Sequence, residues 1–303
     1  MDGLTAGTGP AATERGPPMS VVVTGATGQF GRIAVEALLD RGLPAGSVTA
    51  TGRDPERLSD LAERGVHTAR ADYGDPASLK AAFADADVLL LVSGSEIGKR
   101  EAQHRNAVEA AAAAGVRHIV YTSAPKATDT TLVLAPEHAA TEEIIAASGL
   151  TYTILRNGWY NENFLPQMEE ARATGRIVGS AGEGLTASAA RRDFAEAAAA
   201  VVLEPEAHAG AVYELSGDTA WTREDLARTL SEVLGKEVVY QDSSTEDHIA
   251  ALKAAGLDAD TAGFVAALDA NTRDGELGDV TDTLRGLIGR PTTPLAETLR
   301  AFA

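Results

Sequence analysis

The run Val21-Val22-Val23-Thr24-Gly25-Ala26-Thr27-Gly28-Gln29-Phe30-Gly31 joins a short β-branched strand directly to a glycine-spaced turn and the start of a helix. From Phe30 onward the apolar residues Ile33, Ala34, Ala37 and Leu38 recur at helical spacing. Each glycine answers its own steric demand. Gly25 allows the tight reversal, Gly28 the close approach of a pyrophosphate, and Gly31 the packing of helix on strand. The helix start adds unpaired N–H groups at the positive end of its dipole. The stretch therefore predicts a dinucleotide-binding turn, with Thr27, Gln29 and Phe30 as cofactor contacts beside the glycines. Without the helical face that follows, the same glycines would describe only a hairpin.

Outward from this turn, strand and helix patterns alternate to about residue 156, which predicts an α/β fold: a Rossmann-like, doubly wound parallel sheet. Strands are expected at 47–52, 66–71, 87–93, 118–123 and 151–156. Asp54-Pro55 and Asp75-Pro76 supply helix caps with proline where a missing N–H costs nothing. The middle of Asp87–Ser93 is continuously apolar, as a central parallel strand buried on both faces requires. Residues 157–303 alternate less regularly and predict a smaller, partly helical C-terminal lobe, largely substrate-binding and interleaved with the 19–156 core. Helices are expected there at 192–203, 222–234 and 245–255, with a short strand at 212–215. Residues 1–18, rich in Gly, Pro, Thr and Ala, read as a disordered extension. Ligands of open α/β sheets lie beyond the carboxyl ends of the strands, so the loops there should share one crevice.

Composition narrows the partners. Lys+Arg 26 against Asp+Glu 44 leaves a formal charge of −18, which disfavours phosphate backbones and anionic lipid. Cysteine is absent, so thiol catalysis, disulfides and thiolate metal sites are excluded. His67, His104, His118, His208 and His248 show no metal-ligand spacing, and no metal site is assigned. No apolar run approaches the ~20 residues of a membrane span, and the expected compartment is the cytoplasm.

Cofactor choice is read at the end of the second strand. An acidic side chain there bonds the ribose 2′-hydroxyl, whereas an arginine accepts the 2′-phosphate. The sequence places Arg53 at 53 − 31 = 22 residues past the last motif glycine, with Asp54 already explained as a cap. Arg32 follows Gly31 and is either a second phosphate ligand or a solvated helix residue. Asp72 either takes the adenine amino group or is a plain loop aspartate, and Ser93 ends the central strand at the crevice. NADPH is the expected cofactor, with NADH weaker.

Short-chain dehydrogenases normally carry Tyr-x-x-x-Lys, the lysine lowering the pKa of a proton-donating tyrosine. Four positions after Tyr73, Tyr121, Tyr152, Tyr160, Tyr213 and Tyr240 stand Ala77, Pro125, Arg156, Phe164, Gly217 and Ser244, so that pair is missing. The chain instead resembles the NmrA-like branch of atypical short-chain dehydrogenases, and within it the type-2 NAD(P)H:quinone oxidoreductases. The stretches that carry the resemblance are Val23–Gly31, Ala71–Gly74, Gln103–Asn106, Glu137–Glu142, Tyr152–Asn163 and Gly289–Glu297.

The resemblance implies a monomeric or homodimeric reductase that passes hydride from NADPH to a quinone. Triphenylmethane dyes are the alternative acceptor class, and a non-catalytic, redox-sensing regulator is the alternative from a different functional class. It also implies that Gly25–Gly31 and Arg53 hold the phosphates and that Asn157–Glu162 lies by the nicotinamide and substrate. Asn157, Gly158 and Trp159 are then cofactor contacts, and His138, Tyr160 and Asn161 the candidate catalytic residues. His138, 152 − 138 = 14 residues before Tyr152, matches the place where some relatives put an active-site lysine. Glu143 stands where the resemblance would put a lysine, which weakens any role for a basic residue there.

Structural readings stand beside these. His138 can be an ordinary packed histidine, Trp159 and Tyr160 an aromatic seam, the three asparagines turn formers, and Ser123 a strand end. Lys126 carries no assigned role.

Overall fold

The structure, a computed structural model, describes residues 19–303. The reading of 1–18 as an extension lies outside the described residues. The first half runs β1 (Val21–Val23), α1 (Gln29–Asp40), β2 (Val48–Gly52), α2 (Ser59–Glu63), β3 (His67–Arg70), α3 (Pro76–Ala82) and β4 (Val88–Leu91). It continues through α4 (Arg100–Ala114), β5 (His118–Ser123), α5 (Ala135–Ala147) and β6 (Thr151–Asn157). Next come α6 (Leu165–Thr174), β7 (Arg176–Gly179), α7 (Arg191–Leu203), β8 (Val212–Leu215), α8 (Arg223–Leu234) and β9 (Val239–Asp242). The chain closes with α9 (Thr245–Ala254), α10 (Ala259–Arg273), α11 (Thr283–Ile288) and α12 (Leu295–Arg300).

Seven parallel strands form one sheet in the order β3-β2-β1-β4-β5-β6-β8. The order reverses between β1 and β4, the switch point where the loops splay apart and a ligand crevice opens. Strand alternation sends side chains to two separate cores. Val21, Val23, Leu90, Val120 and Leu155 meet α1 and α7 on one face; Val22, Leu89, Leu91, Ile119 and Ile154 meet α3, α4 and α5 on the other. The all-apolar β4 is buried along its whole length, in agreement with its central place.

The local signals act as their chemistry requires. Asp54 accepts from Glu56 N at 3.3 Å, and Asp75 from Ser78 N at 3.3 Å. The first cap opens a short 3-10 turn, Pro55–Leu58, before α2. The C-terminal part interleaves with the core. α7 packs against α1, and β8 adds the seventh strand beside β6, so both belong to the core sheet. The lobe itself holds α6, α8, α9, α10, α12 and the two-stranded β7-β9 pair; its own core centres on Phe164, Met168, Trp221, Leu226 and Leu230. Among the described residues no helix is long and apolar enough to cross a membrane.

Candidate active site

The first turn has the cradle geometry. Gly25 adopts φ +62°, a left-handed conformation that side chains resist. A Cβ on Gly31 would lie 2.5 Å from the Gly25 carbonyl oxygen and 2.9 Å from Ala26 Cα, so only glycine lets α1 sit this close to the turn. A Cβ on Gly52 would meet the Thr27 side chain at 2.5 Å, which locks the end of β2 against the same turn. Gly28 is the N-cap of α1. No side chain caps it and no acidic residue occupies the first turn, so the helix start is left open to an anion.

Around this turn the strand ends enclose a cavity of about 250 Å³, walled by Thr24, Gly25, Thr27 and Gly28, by Gly52 and Arg53, by Ala71–Tyr73, and by Val92–Glu96 with Gln103 of α4. Arg53 stands at its rim, its side chain 70% exposed and 3.0 Å from Glu96, whose other oxygen lies 3.2 Å from Lys99 Nζ. An exposed pair of this kind is worth only about 0.2–1 kcal/mol, so a phosphate can displace Glu96 from Arg53. Asp72 lines the cavity and turns one oxygen to the Gly74 N–H at 2.9 Å. Ser93 lines it too, its N–H donated to Thr122 Oγ1 at 2.9 Å.

Arg32 is paired away from this cavity. Its guanidinium bonds Asp60 at 2.6 Å and the Arg57 carbonyl at 2.8 Å, and it contributes nothing to the cavity wall. It ties α1 to the segment around α2, and holds the Asp60 carboxyl below its usual range.

On the other side of the switch point, Asn157 ends β6, 5% exposed. Its Nδ2 donates to the Tyr160 hydroxyl at 3.1 Å, while its Oδ1 is buried without a hydrogen-bond partner. Tyr160 lies over Phe30 at 6.2 Å between ring centroids and against Phe194 at 5.1 Å, with the Arg191 guanidinium 5.2 Å from its ring. Burial raises its phenol to about 12, so it stays protonated. Gln29 accepts a hydrogen bond from Arg191. A glycine cradle, an open helix start and a rim arginine on one cavity together fit a bound dinucleotide.

None of the three candidate catalytic residues lines either cavity, and two of them make buried structural contacts. His138 is 6% exposed on α5, its Nδ1 2.8 Å from the Tyr121 hydroxyl inside the sheet–helix layer, and it lines neither this cavity nor its neighbour. Burial and the nearby Arg100 charge lower it to about 3, so the ring is neutral. Asn161 is fully buried. Its Oδ1 accepts from Ser188 at 2.6 Å, and its Nδ2 donates to the Thr293 carbonyl and to Thr298, which staples the lobe to the C-terminal segment.

A second cavity, about 90 Å³, opens beyond the ends of β5, β6 and β8. Pro125, Trp159 and Leu277 give it apolar walls, and Lys126, Glu214, Glu276 and Asp279 give it a charged edge. Gly158 belongs to it as well; a Cβ there would lie 2.7 Å from the Leu215 carbonyl. Lys126 takes φ +48° while its N–H bonds Glu214 and its Nζ meets Asp279 at 2.7 Å. Ser123 donates to Glu142 at 2.5 Å, and Arg156 joins Glu142 at 2.7 Å to Glu214 at 3.0 Å. Ser123 is thus part of an ion network beneath this cavity.

Sequence reasoning missed Gly52, Tyr73, Gly94, Glu96 and Gln103 in the first wall and Lys126, Glu214 and Leu277 in the second. Only Tyr73 and Gln103 lay within stretches marked by the family resemblance. Among the described residues no three His, Asp or Glu side chains converge as a metal site.

Comparison with known proteins identifies the family of the chain. A family described as NAD(P)H-binding matches residues 25–205. Quinone oxidoreductase 2 of Escherichia coli is 47% identical over 279 residues, 92% of this chain and 97% of that one. The crystal structure of the Escherichia coli NADPH-dependent quinone oxidoreductase complexed with NADPH superposes with a TM-score of 0.89 at 46% identity, covering 93% of this chain and 99% of that one. The Citrobacter sp. triphenylmethane reductase complexed with NADP(H) also scores 0.89, at 39% identity over 94% of this chain and 100% of that one.

Proposed function

This chain belongs to the NAD(P)H-binding family, and we propose that within it the protein is an NADPH-dependent reductase of quinones. The observation that carries this reading is the pairing of the open Gly28 helix start and Arg53 in one cavity with an apolar-walled second cavity around Trp159. The α1 N–H groups would take the pyrophosphate and Arg53 the 2′-phosphate, with Asp72 and Ser93 along the same wall. When bound, NADPH would supply the hydride; the protein supplies position and exclusion of water.

The chain's own groups then have limited tasks. By the family resemblance Asn157 and Tyr160 would stand near the nicotinamide end, where the unpaired Asn157 Oδ1 is an acceptor and the Tyr160 hydroxyl a donor. Trp159, Pro125 and Leu277 give a flat apolar wall to a planar ring. No strong acid is needed, because a reduced quinone is an aromatic, weakly basic anion that can take its proton from water. A simple ketone gives a strongly basic alkoxide, for which a positioned acid is worth about 10²–10⁴-fold. Cationic dyes are a second acceptor class, favoured by the carboxylates of Glu214, Glu276 and Asp279 on the cavity edge. In this reading the enzyme works in the cytoplasm as a monomer or homodimer, without nucleic acid or membrane partner, in keeping with its charge of −18.

The test is an acceptor panel with NADPH, followed by loss of reduced-nicotinamide absorbance. Benzoquinones should be reduced and aliphatic ketones left untouched. Reduction of ketones at comparable rates would show that a positioned acid takes part after all.

A further inference from the structure

Two stretches singled out in the sequence, around Gln103–Asn106 and Glu137–Glu142, touch the crevice only through Gln103, yet they meet behind its wall. Arg100 and His104 are one helical turn apart on α4, and Glu137 and Thr141 one turn apart on α5, so each pair shares a face. The two faces join rung by rung. Arg100 bonds Glu137 at 3.0 Å, and His104 Nδ1 lies 3.0 Å from Thr141 Oγ1. Both α4 side chains then grip one residue of the cavity wall, on its two successive peptide groups: the Gly94 N–H donates to His104 Nε2 at 2.9 Å, and the Gly94 carbonyl accepts from Arg100 Nε at 2.9 Å. Glu137 extends the hold to the Gly98 and Arg100 N–H groups.

The hydrogen positions follow by elimination. A backbone N–H can only donate, so His104 Nε2 carries no proton. The neutral ring therefore holds its proton on Nδ1 and donates it to Thr141, whose own hydroxyl donates to the Glu137 carbonyl at 2.8 Å. His104 is fully buried, and Tyr73 and Tyr121 meet its ring edge-on at 5.6 and 5.5 Å. Burial, with the Arg100 charge, lowers its pKa to about 3, which keeps Nε2 an acceptor at any ordinary pH.

We propose that His104 is a positioning residue for the cofactor crevice: Thr141 fixes its Nδ1-protonated tautomer, and that tautomer fixes the Gly94 N–H and with it the Ser93–Glu96 wall. The proposal rests on reading this crevice as the NADPH site, but its first test does not. Long-range proton–nitrogen NMR correlations on the full chain without cofactor should show His104 protonated on Nδ1. In Thr141→Val, which touches no part of the crevice, Nδ1 loses its acceptor, and the proton should shift to Nε2 in a measurable fraction of molecules. Protonation on Nε2 in the unaltered chain would overturn the proposal.

The second test is NADPH affinity by calorimetry. Thr141→Val and His104→Leu should raise Kd by roughly 5–10-fold, the scale of one lost hydrogen bond. His104→Gln, which keeps an acceptor for Gly94, should stay within about threefold of the parent. The loss should sit in Kd and KM for NADPH rather than in KM for the quinone. Equal affinity for NADPH in His104→Leu and the parent chain would refute the clamp. Failure of the parent chain to bind NADPH would instead refute the crevice reading while leaving the tautomer result standing.

Discussion

Gly28→Ala separates cofactor binding from folding, and its contrast with Gly31→Ala can be worked from the structure. Gly28 has φ −93° and ψ 170°, a conformation open to any residue, and its new Cβ would meet only the Gly25 carbonyl, at 3.2 Å. The exchange at an N-cap should cost about 1 kcal/mol, a fall in Tm of roughly 2–4 °C. The methyl group, however, stands where the pyrophosphate must approach the α1 N–H groups. Hydrogen bonds to a charged group are worth about 1.5–3 kcal/mol each, so NADPH Kd should rise about 10–100-fold or more. Gly31→Ala differs because its Cβ would strike backbone on two sides, at 2.5 and 2.9 Å, and backbone cannot swing away. Forcing α1 outward should cost at least about 1–3 kcal/mol, and both Tm and NADPH binding should suffer. Calorimetric Kd and thermal unfolding by circular dichroism measure the two effects separately. Wild-type NADPH affinity in Gly28→Ala would mean that no phosphate lies over this turn.

Other perturbations test other parts of the account. Arg53→Ala should weaken NADPH by about 10–100-fold and leave NADH nearly unchanged; equal losses in parallel titrations would remove Arg53 from the 2′-phosphate. Because His138 packs against Tyr121, His138→Leu should lower stability by about 1–3 kcal/mol through the orphaned hydroxyl. Turnover per folded molecule should hold, and its abolition with NADPH still bound would restore a catalytic role. Burial depresses His104 and His138 to about 3 and His118 to about 4, from 6.5. The unfolded chain therefore takes up these protons first, so this stability is complete above about pH 6.5 and is lost as pH falls toward 3–4. At pH 5.5 the loss is about 1.4 kcal/mol for each histidine, roughly 4 kcal/mol together. Urea midpoints at pH 7.5 and 5.5 measure it, and equal values would contradict the burial of these rings.

The sheet was legible because its information is local. Val21–Gly31 holds strand, turn and helix face in one stretch, and Asp54-Pro55 and Asp75-Pro76 mark their own helix starts. What escaped depends on contacts distant in the chain. Residues 212–215 read as a strand, but nothing near them says that they pair with β6 after a 54-residue excursion (157 to 211). Arg32 faces Asp60 only because of where the segment around α2 packs. The burial of His138 is hidden in the sequence for a related reason. α5 is rich in alanine and carries Glu137, His138, Thr141 and Glu142 on several faces, so its sequence does not say which side meets the sheet. α4 likewise buries Arg100 and His104 against the pattern expected of charged and polar residues. α10 could have been found, since Asp258 caps it through Asp260 N and Thr261 N, a signal present in the sequence.

Stoichiometry decides whether this chain reduces a quinone with NADPH. Under anaerobic conditions, the purified protein should be mixed with limiting NADPH and excess 1,4-benzoquinone, and both NADPH loss and hydroquinone formation quantified. The account predicts that hydroquinone appears mole for mole with NADPH consumed, at a rate set by enzyme concentration above the uncatalysed background. A protein that binds NADPH in calorimetry yet leaves the background rate unchanged with every quinone offered would contradict it, and would make this chain a dinucleotide-binding regulator.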